Sequence, residues 1–215
     1  RSSGGSSLDD EARADRAQST MRPLAALGRE EARGLTGLLF DLDDTVLTYG
    51  VLERAAYGAL WDLRDAGLPL VAVTGRPSAW AEVLVRQWPL DGAVTENGAV
   101  FVVREGHGVR VIPDGTPAEV EERRARLDAL VAKVRVAMPA IELADDVRGR
   151  RSDVAWDIGE RVKLPEEQVE ALGRLVVAEG ARTTRSSVHL HASFERDDKA
   201  SGAVRFLPDR FGEDP

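Results

Sequence analysis

The chain has 215 residues, with 29 Lys plus Arg against 37 Asp plus Glu, a net charge of −8, three histidines and no cysteine. An acidic balance with no basic, aromatic-interleaved stripe argues against nucleic acid and anionic membrane as partners, and the missing cysteines exclude disulfides and thiolate metal sites. No apolar run approaches the ~18 residues of a membrane span and no signal-peptide hydrophobic region opens the chain, so the expected compartment is the cytoplasm and the expected form one large domain or a core with an inserted module.

Residues 1–20 mix small and charged side chains that bury too little apolar surface to offset ordering, and read as a linker. Met21 reads as a native start, and Pro23 to Arg33 as a short amphipathic helix ended by Gly34. Leu38-Leu39-Phe40 has the character of a buried parallel strand. Asp41, Leu42, Asp43, Asp44 and Thr45 follow it at once. Leu52, Ala55, Ala56, Ala59, Leu60 and Leu63 recur at helical spacing, with Gly67 as the stop. Leu68 to Val73 is a second strand, ending in Thr74-Gly75-Arg76-Pro77, and Ser78 to Gln87 is the next helix. This repetition of strand, turn and helix predicts an α/β fold with a parallel sheet of βαβ units.

Ala93 to Thr95 is a third short strand, ending in Glu96-Asn97-Gly98, and Ala99 to Val103 with Val109 to Ile112 form a hairpin around Gly106-His107-Gly108. The order of elements then changes. Pro117 to Ala137 is a long charged helix; Ile141 to Leu143, Val154 to Ile158 and Val188 to Phe194 read as strands, and Pro165 to Glu179 as a helix. Val154, Trp156 and Ile158 alternate with Ala155 and Asp157, as in a sheet covered on one face. Lys199 opens a helix through Phe206. The expected organisation is a flexible segment at 1–34, the first part of an α/β core at 35–98, an α+β insertion at 99–190 and a return to the core at 191–215.

The chemistry gathers at strand ends, where ligands collect in open α/β sheets. Side-chain alternation lets Asp41 and Asp43 point to one side while Leu42 points inward. Two carboxylates so placed bind a cation or share a proton, although an Asp-rich turn also serves as a solvated loop or helix cap. Thr74-Gly75 follows its strand as the acids follow theirs. A Thr hydroxyl and a Gly N–H ahead of a helix suit a phosphoryl oxygen, while the same tetrapeptide also makes an ordinary turn. Lys199 adds a positive charge ahead of its helix, where a Lys is commonly solvated. In this order the three segments supply nucleophile, phosphate cradle and counter-charge.

With these residues the chain resembles the haloacid dehalogenase (HAD) superfamily of phosphatases and phosphotransferases. Its first motif, D-x-D-x-T or V, is met by Asp41, Asp43 and Thr45, its second by Thr74 and its third by Lys199. The α+β insertion and Glu96 to Ala99 are similar to the branch containing sucrose-, trehalose- and mannosyl-phosphoglycerate phosphatases and phosphomannomutases, in which the insertion is a substrate-choosing cap. The resemblance implies that Asp41 attacks phosphorus to form an aspartyl-phosphate, that Asp43 protonates the leaving oxygen and then activates water, and that Thr74, Gly75 and Lys199 hold the phosphate. It also implies Mg²⁺ on Asp41 and Asp43.

The implied function is Mg²⁺-dependent hydrolysis of a sugar phosphate or related small phosphorylated metabolite, with a sugar phosphomutase as the alternative. The family's fourth motif, an acidic cluster after another apolar strand, has no counterpart, since no such strand precedes Asp209, Glu213 and Asp214. The sequence therefore reads as an amino-terminal fragment, and a non-catalytic fragment or binding module is the third reading. In the cap, Glu96, Asn97, Arg150, Arg151, Ser152 and Asp153 are candidates for substrate contact, Arg being suited to bidentate recognition; a solvated charged turn is the competing role. His189 and His191 share one strand face and read as structural or substrate-facing.

Overall fold

The computed structural model describes residues 23–196 and 198–208; the segment 1–20, Asp209, Glu213 and Asp214 lie outside the described residues. Contacts divide the chain between Thr36 and Gly37. In the first unit a 3-10 turn at Leu24–Ala26 precedes helix α1 (Arg29–Arg33), whose start is closed by a hydrogen bond from Gly28 N–H to the Glu31 carboxylate at 2.8 Å.

The second unit begins with β1 (Leu38–Phe40), the hairpin β2 (Leu47–Thr48) and β3 (Val51–Leu52), and helix α2 (Arg54–Asp65). Tyr49 and Gly50 turn the hairpin with φ of 50° and 76°, the positive pair that matches strand twist in a two-residue turn. There follow β4 (Leu70–Val73), α3 (Ser78–Gln87), β5 (Gly92–Thr95), β6 (Val100–Glu105) and β7 (Gly108–Pro113). These build a five-stranded sheet in the order β1-β4-β5-β6-β7. β1, β4 and β5 are parallel, with Phe40 opposite Ala72 and Val73 opposite Val94.

The hairpin at 99–113, expected to open the insertion, instead continues this sheet, β6 pairing antiparallel with β5 and β7 with β6. Only the 3-10 turn Glu96–Gly98 separates β5 from β6. A parallel return needs a crossover of a dozen residues or more, so the chain folds straight back. One face of the sheet, with Leu70, Ala72, Ala93, Val100 and Val102, packs with Leu60 of α2 and Ala81 and Val85 of α3. The other face, with Val71, Val94, Phe101 and Val103, meets helix α6 (Lys199–Phe206) and Leu207. Phe206 stacks on Phe101 at 5.4 Å.

Between β7 and α6 lie α4 (Pro117–Ala137), a 3-10 turn (Asp145–Gly149), β8 (Asp153–Asp157), α5 (Glu166–Ala178), β9 (Arg182–Arg185) and β10 (His189–Ser193). The last three strands form an antiparallel sheet in the order β8-β10-β9. Val154, Trp156, Leu190 and Ala192 cover α4 and α5 through Leu127, Leu130, Val134, Val169, Leu172 and Val176. Register places Asp153, Ser193 and Arg182 in one row of the opposite face and Ala155, His191 and Thr184 in the next.

Two sequence expectations change here, and one strand is present that the sequence did not announce. Ile141 to Leu143 is no strand but a single bridge from Leu143 to Trp156. β10 lies whole within the three-stranded sheet, so a boundary between 190 and 191 cuts a strand. β9, Arg-Thr-Thr-Arg, carries no apolar residue and is exposed throughout, and without an apolar periodicity it gives no strand signal.

Candidate active site

Asp41 follows β1 and Thr74 follows β4, and the parallel register brings both to one edge of the sheet. After Asp41 the chain curls: Val46 and Leu47 N–H groups donate to the Leu42 carbonyl at 3.0 and 2.8 Å, and Asp44 takes a φ of 56°. Leu42 is fully buried beneath the turn. Its N–H donates to Asp41 Oδ1 at 2.8 Å, which fixes the carboxylate at the rim.

Lys199 reaches the other oxygen of Asp41, with Nζ 2.6 Å from Oδ2. It does so because α6 sits directly on the Glu96–Gly98 turn. A methyl group on Gly202 would lie 2.3 Å from the Gly98 carbonyl oxygen, and one on Gly98 2.0 Å from that of Asp198. Only hydrogen fits at either position, and Gly98 also has a φ of 107°. Asp198 caps the helix, its carboxylate accepting from Ser201 N–H at 2.9 Å.

Asp43 is held by Arg76, whose Nε and Nη2 lie 3.0 and 2.6 Å from the carboxylate oxygens. The Arg76 guanidinium stacks 4.5 Å over the Trp80 ring, a stiff support for a bidentate fork. Arg76 N–H donates to Thr74 Oγ1 at 3.1 Å, which leaves the Thr74 hydroxyl proton for another acceptor. The structure thus brings Asp41, Asp43, Thr74, Gly75 and Lys199 to one sheet edge. Arg76 joins them without having been singled out from the sequence, since the Thr-Gly-Arg-Pro turn does not reveal which acid its Arg meets.

Glu96 is buried and joins the two halves of the unit. Its carboxylate accepts from Ser78 N–H at 2.9 Å, from Arg151 N–H at 2.9 Å and from Ser152 N–H at 2.6 Å. Burial pushes its carboxyl above the ordinary value, with nearby Asp153 adding to the effect, while the Ser152 and Ser78 N–H groups pull the other way. Arg150 is likewise consumed internally, donating to Asp146, to both oxygens of Asp153 and to the Gly75 carbonyl at 3.0 Å. Asp153 also meets His191 Nδ1 at 2.9 Å. Burial works to raise the Asp153 pKa, but the His191 hydrogen bond and the Arg150 charge outweigh it and hold the carboxyl below its ordinary value.

A cavity of ≈ 390 Å³ opens between these groups, lined by Glu96, Asn97, Asp153, Arg182, Thr184, His191, Ser193, Glu195, Asp198, Lys199 and Ala200. Of the expected cap candidates, Glu96, Asn97 and Asp153 reach this lining. Arg150, Arg151 and Ser152 do not, and Arg151 instead pairs with Glu82 at 3.0 Å. Arg182, Thr184, Ser193 and Glu195 are lining residues missed from sequence. Glu195 pairs with Arg123 at 2.9 Å, a contact spanning 72 positions that no local pattern announces.

No protein-family model and no curated protein matches the chain. Solved structures do. A Thermoplasma acidophilum protein matches with a TM-score of 0.63 at 15% identity, over 83% of this chain and 72% of its own. The sucrose-phosphatase of Synechocystis, solved with sucrose and phosphate, matches at 0.57 and 17%, over 83% and 71%. A phosphatase of the HAD superfamily from Bacteroides thetaiotaomicron matches at 0.51 and 18%, over 90% and 77%. With this sheet, this inserted α+β layer and these neighbours, the chain has the fold of the HAD-superfamily phosphatases.

Proposed function

We propose that the chain hydrolyses a phosphate monoester of a sugar or related small metabolite, with Asp41 as nucleophile and Mg²⁺ as cofactor. The observation that carries this reading is the 2.6 Å contact between Lys199 and Asp41, made across 158 positions of sequence at the edge that also holds Thr74 and Asp43. The sucrose-phosphatase neighbour, which holds sucrose and phosphate, supports the substrate class, as do the hydrogen-bonding side chains among the residues that line the cavity beside Lys199. The part from α4 through β10 is the proposed cap, its open sheet face turned to that cavity.

In this reading Asp41 Oδ attacks phosphorus, an acyl-phosphate bond forms and the bond to the leaving oxygen breaks, while Asp43 gives that oxygen its proton. For this transfer Asp43 leaves the Arg76 fork and first takes up a proton from solvent, which the hydrolytic water replaces in each later turnover. Water then attacks phosphorus, Asp43 takes its proton, and Asp41 is regenerated with release of phosphate. Thr74 Oγ and the Gly75 N–H steady phosphoryl oxygens, and Lys199 offsets the charge gathered between nucleophile and phosphate.

The donor set suits Mg²⁺. Asp41 offers hard carboxylate oxygens, with 40% of its side chain exposed, and Asp43 a hard carbonyl oxygen. No larger acidic or histidine group that could hold a metal occurs among the described residues, and Asp41 through its carboxylate and Asp43 through its backbone carbonyl would hold the ion, which leaves the Asp43 carboxyl free for proton transfer. When bound, the ion offsets phosphate charge.

The test is phosphate release from a panel of sugar phosphates with and without Mg²⁺, beside Asp41→Asn. The expected result is Mg²⁺-dependent release that the substitution abolishes while thermal stability is retained. Release that survives Asp41→Asn overturns the mechanism. Isomerised sugar phosphate in place of free phosphate identifies a mutase, and no turnover with intact phosphate binding identifies a binding module.

A further inference from the structure

Of the side chains that line the cavity, His191 has the most deliberate support. Its Nδ1 faces Asp153 Oδ2 at 2.9 Å. Asp153 is almost fully buried and is also held by Arg150 at 3.0 Å, and Arg150 in turn donates to the Gly75 carbonyl of the phosphate turn at 3.0 Å. A carboxylate paired with a guanidinium is ionised and can only accept, so Nδ1 carries the proton. In the neutral ring Nε2 is then an acceptor.

The cross-strand neighbours of His191 are Ala155 on one side and Thr184 on the other. The ring is largely buried, with 11% of its side chain exposed, and what remains open lines the cavity. The His189 ring meets it edge-on at 5.9 Å, which stiffens its orientation without using a ring nitrogen. A fixed tautomer, a fixed plane and one remaining acceptor form a reader of hydroxyl groups, held by the same buried pair that touches the phosphate turn.

We propose that His191 is a specificity-determining residue of this site, its Nε2 accepting a hydrogen bond from a hydroxyl on the alcohol portion of a polyhydroxylated phosphate monoester while the phosphate lies toward Asp41 and Lys199. This rests on the phosphatase reading above and deepens it. Arg150 and Asp153 act through His191 as positioning residues.

His191→Asn is the discriminating variant. The Asn amide can still donate to Asp153 and so preserve the buried network, but it lacks an atom at the Nε2 position. His191→Gln offers a polar atom near that position and serves as the partial rescue. One neutral hydrogen bond is worth about 1 kcal/mol, or roughly fivefold in affinity. For His191→Asn we expect KM for the preferred sugar phosphate to rise about fivefold, with kcat little changed and with turnover of p-nitrophenyl phosphate, which has no hydroxyl to read, unaltered.

Equal losses on both substrates, or no change on either, overturn the assignment. Calorimetry separates it from the parent reading, because it needs no turnover. If the chain releases no phosphate, the proposal still requires tighter binding of sugar phosphate than of inorganic phosphate, with the difference lost in His191→Asn. If that difference is absent in the unmodified protein or survives the substitution, the proposal fails.

Discussion

Asp153 carries two opposed demands, a nearly dry position and a negative charge, and meets them with Arg150 and His191. Its folded-state pKa lies below the ordinary value of 3.8. Between those two values the unfolded chain binds the extra proton, so the contribution of Asp153 to stability is full above its unfolded pKa and is lost as pH falls through the folded one. Asp153→Asn removes the fully buried one of the two carboxylates on Arg150 and leaves Asp146 in place, so the loss falls below the about 3–5 kcal/mol of a buried pair broken outright. We expect urea unfolding at pH 7 to report that loss, and the decline of stability below about pH 4 to become shallower than in the unmodified protein. Asp153 was legible as one member of a charged cluster, yet its two partners come from a turn and from another strand 38 positions away.

At the scale of elements, the candidate site depends on how closely α6 approaches the turn after β5. Gly202 meets Gly98 backbone to backbone, and that contact sets the height at which Lys199 stands over Asp41. Gly202→Ala introduces a methyl 2.3 Å from the Gly98 carbonyl oxygen and 2.4 Å from its Cα. Backbone cannot yield as a side-chain tip can, and overpacking of this kind costs about 1–3 kcal/mol. We expect a lower urea midpoint, together with a fall in phosphate release larger than stability alone explains, because the displaced helix carries Lys199. The helices themselves were readable: apolar periodicity located α3, α4, α5 and α6 closely. β9 was not, because an exposed polar edge strand has no apolar alternation, and neither was the β2–β3 hairpin, whose strands are two residues each.

The whole second unit is built on separate apolar cores. One, around Leu127, Leu130, Trp156 and Leu172, joins α4 and α5 to the three-stranded sheet; the others cover the two faces of the five-stranded sheet. Leu172 is completely buried in the first, and Leu172→Ala there is expected to cost about 2–5 kcal/mol. Native-state hydrogen exchange should show protection lost first in α4, α5 and β8 to β10, with β1, β4 and β5 affected less. Equal loss across both sheets would mean that the cores open as one. Local information by itself determined the strand-ended acids, the Thr-Gly turn, the later Lys and the α/β class, because each depends on apolar runs and on residues adjacent in the chain. Tertiary structure alone decided that 99–113 belongs to the central sheet, that Arg150 and Glu96 are spent on joining residues 149–153 to the turns after β4 and β5, and that His191 and Thr184 face the cavity. Those outcomes depend on strand pairing and on contacts between residues far apart in sequence, where burial and partner geometry, not composition, set the energy.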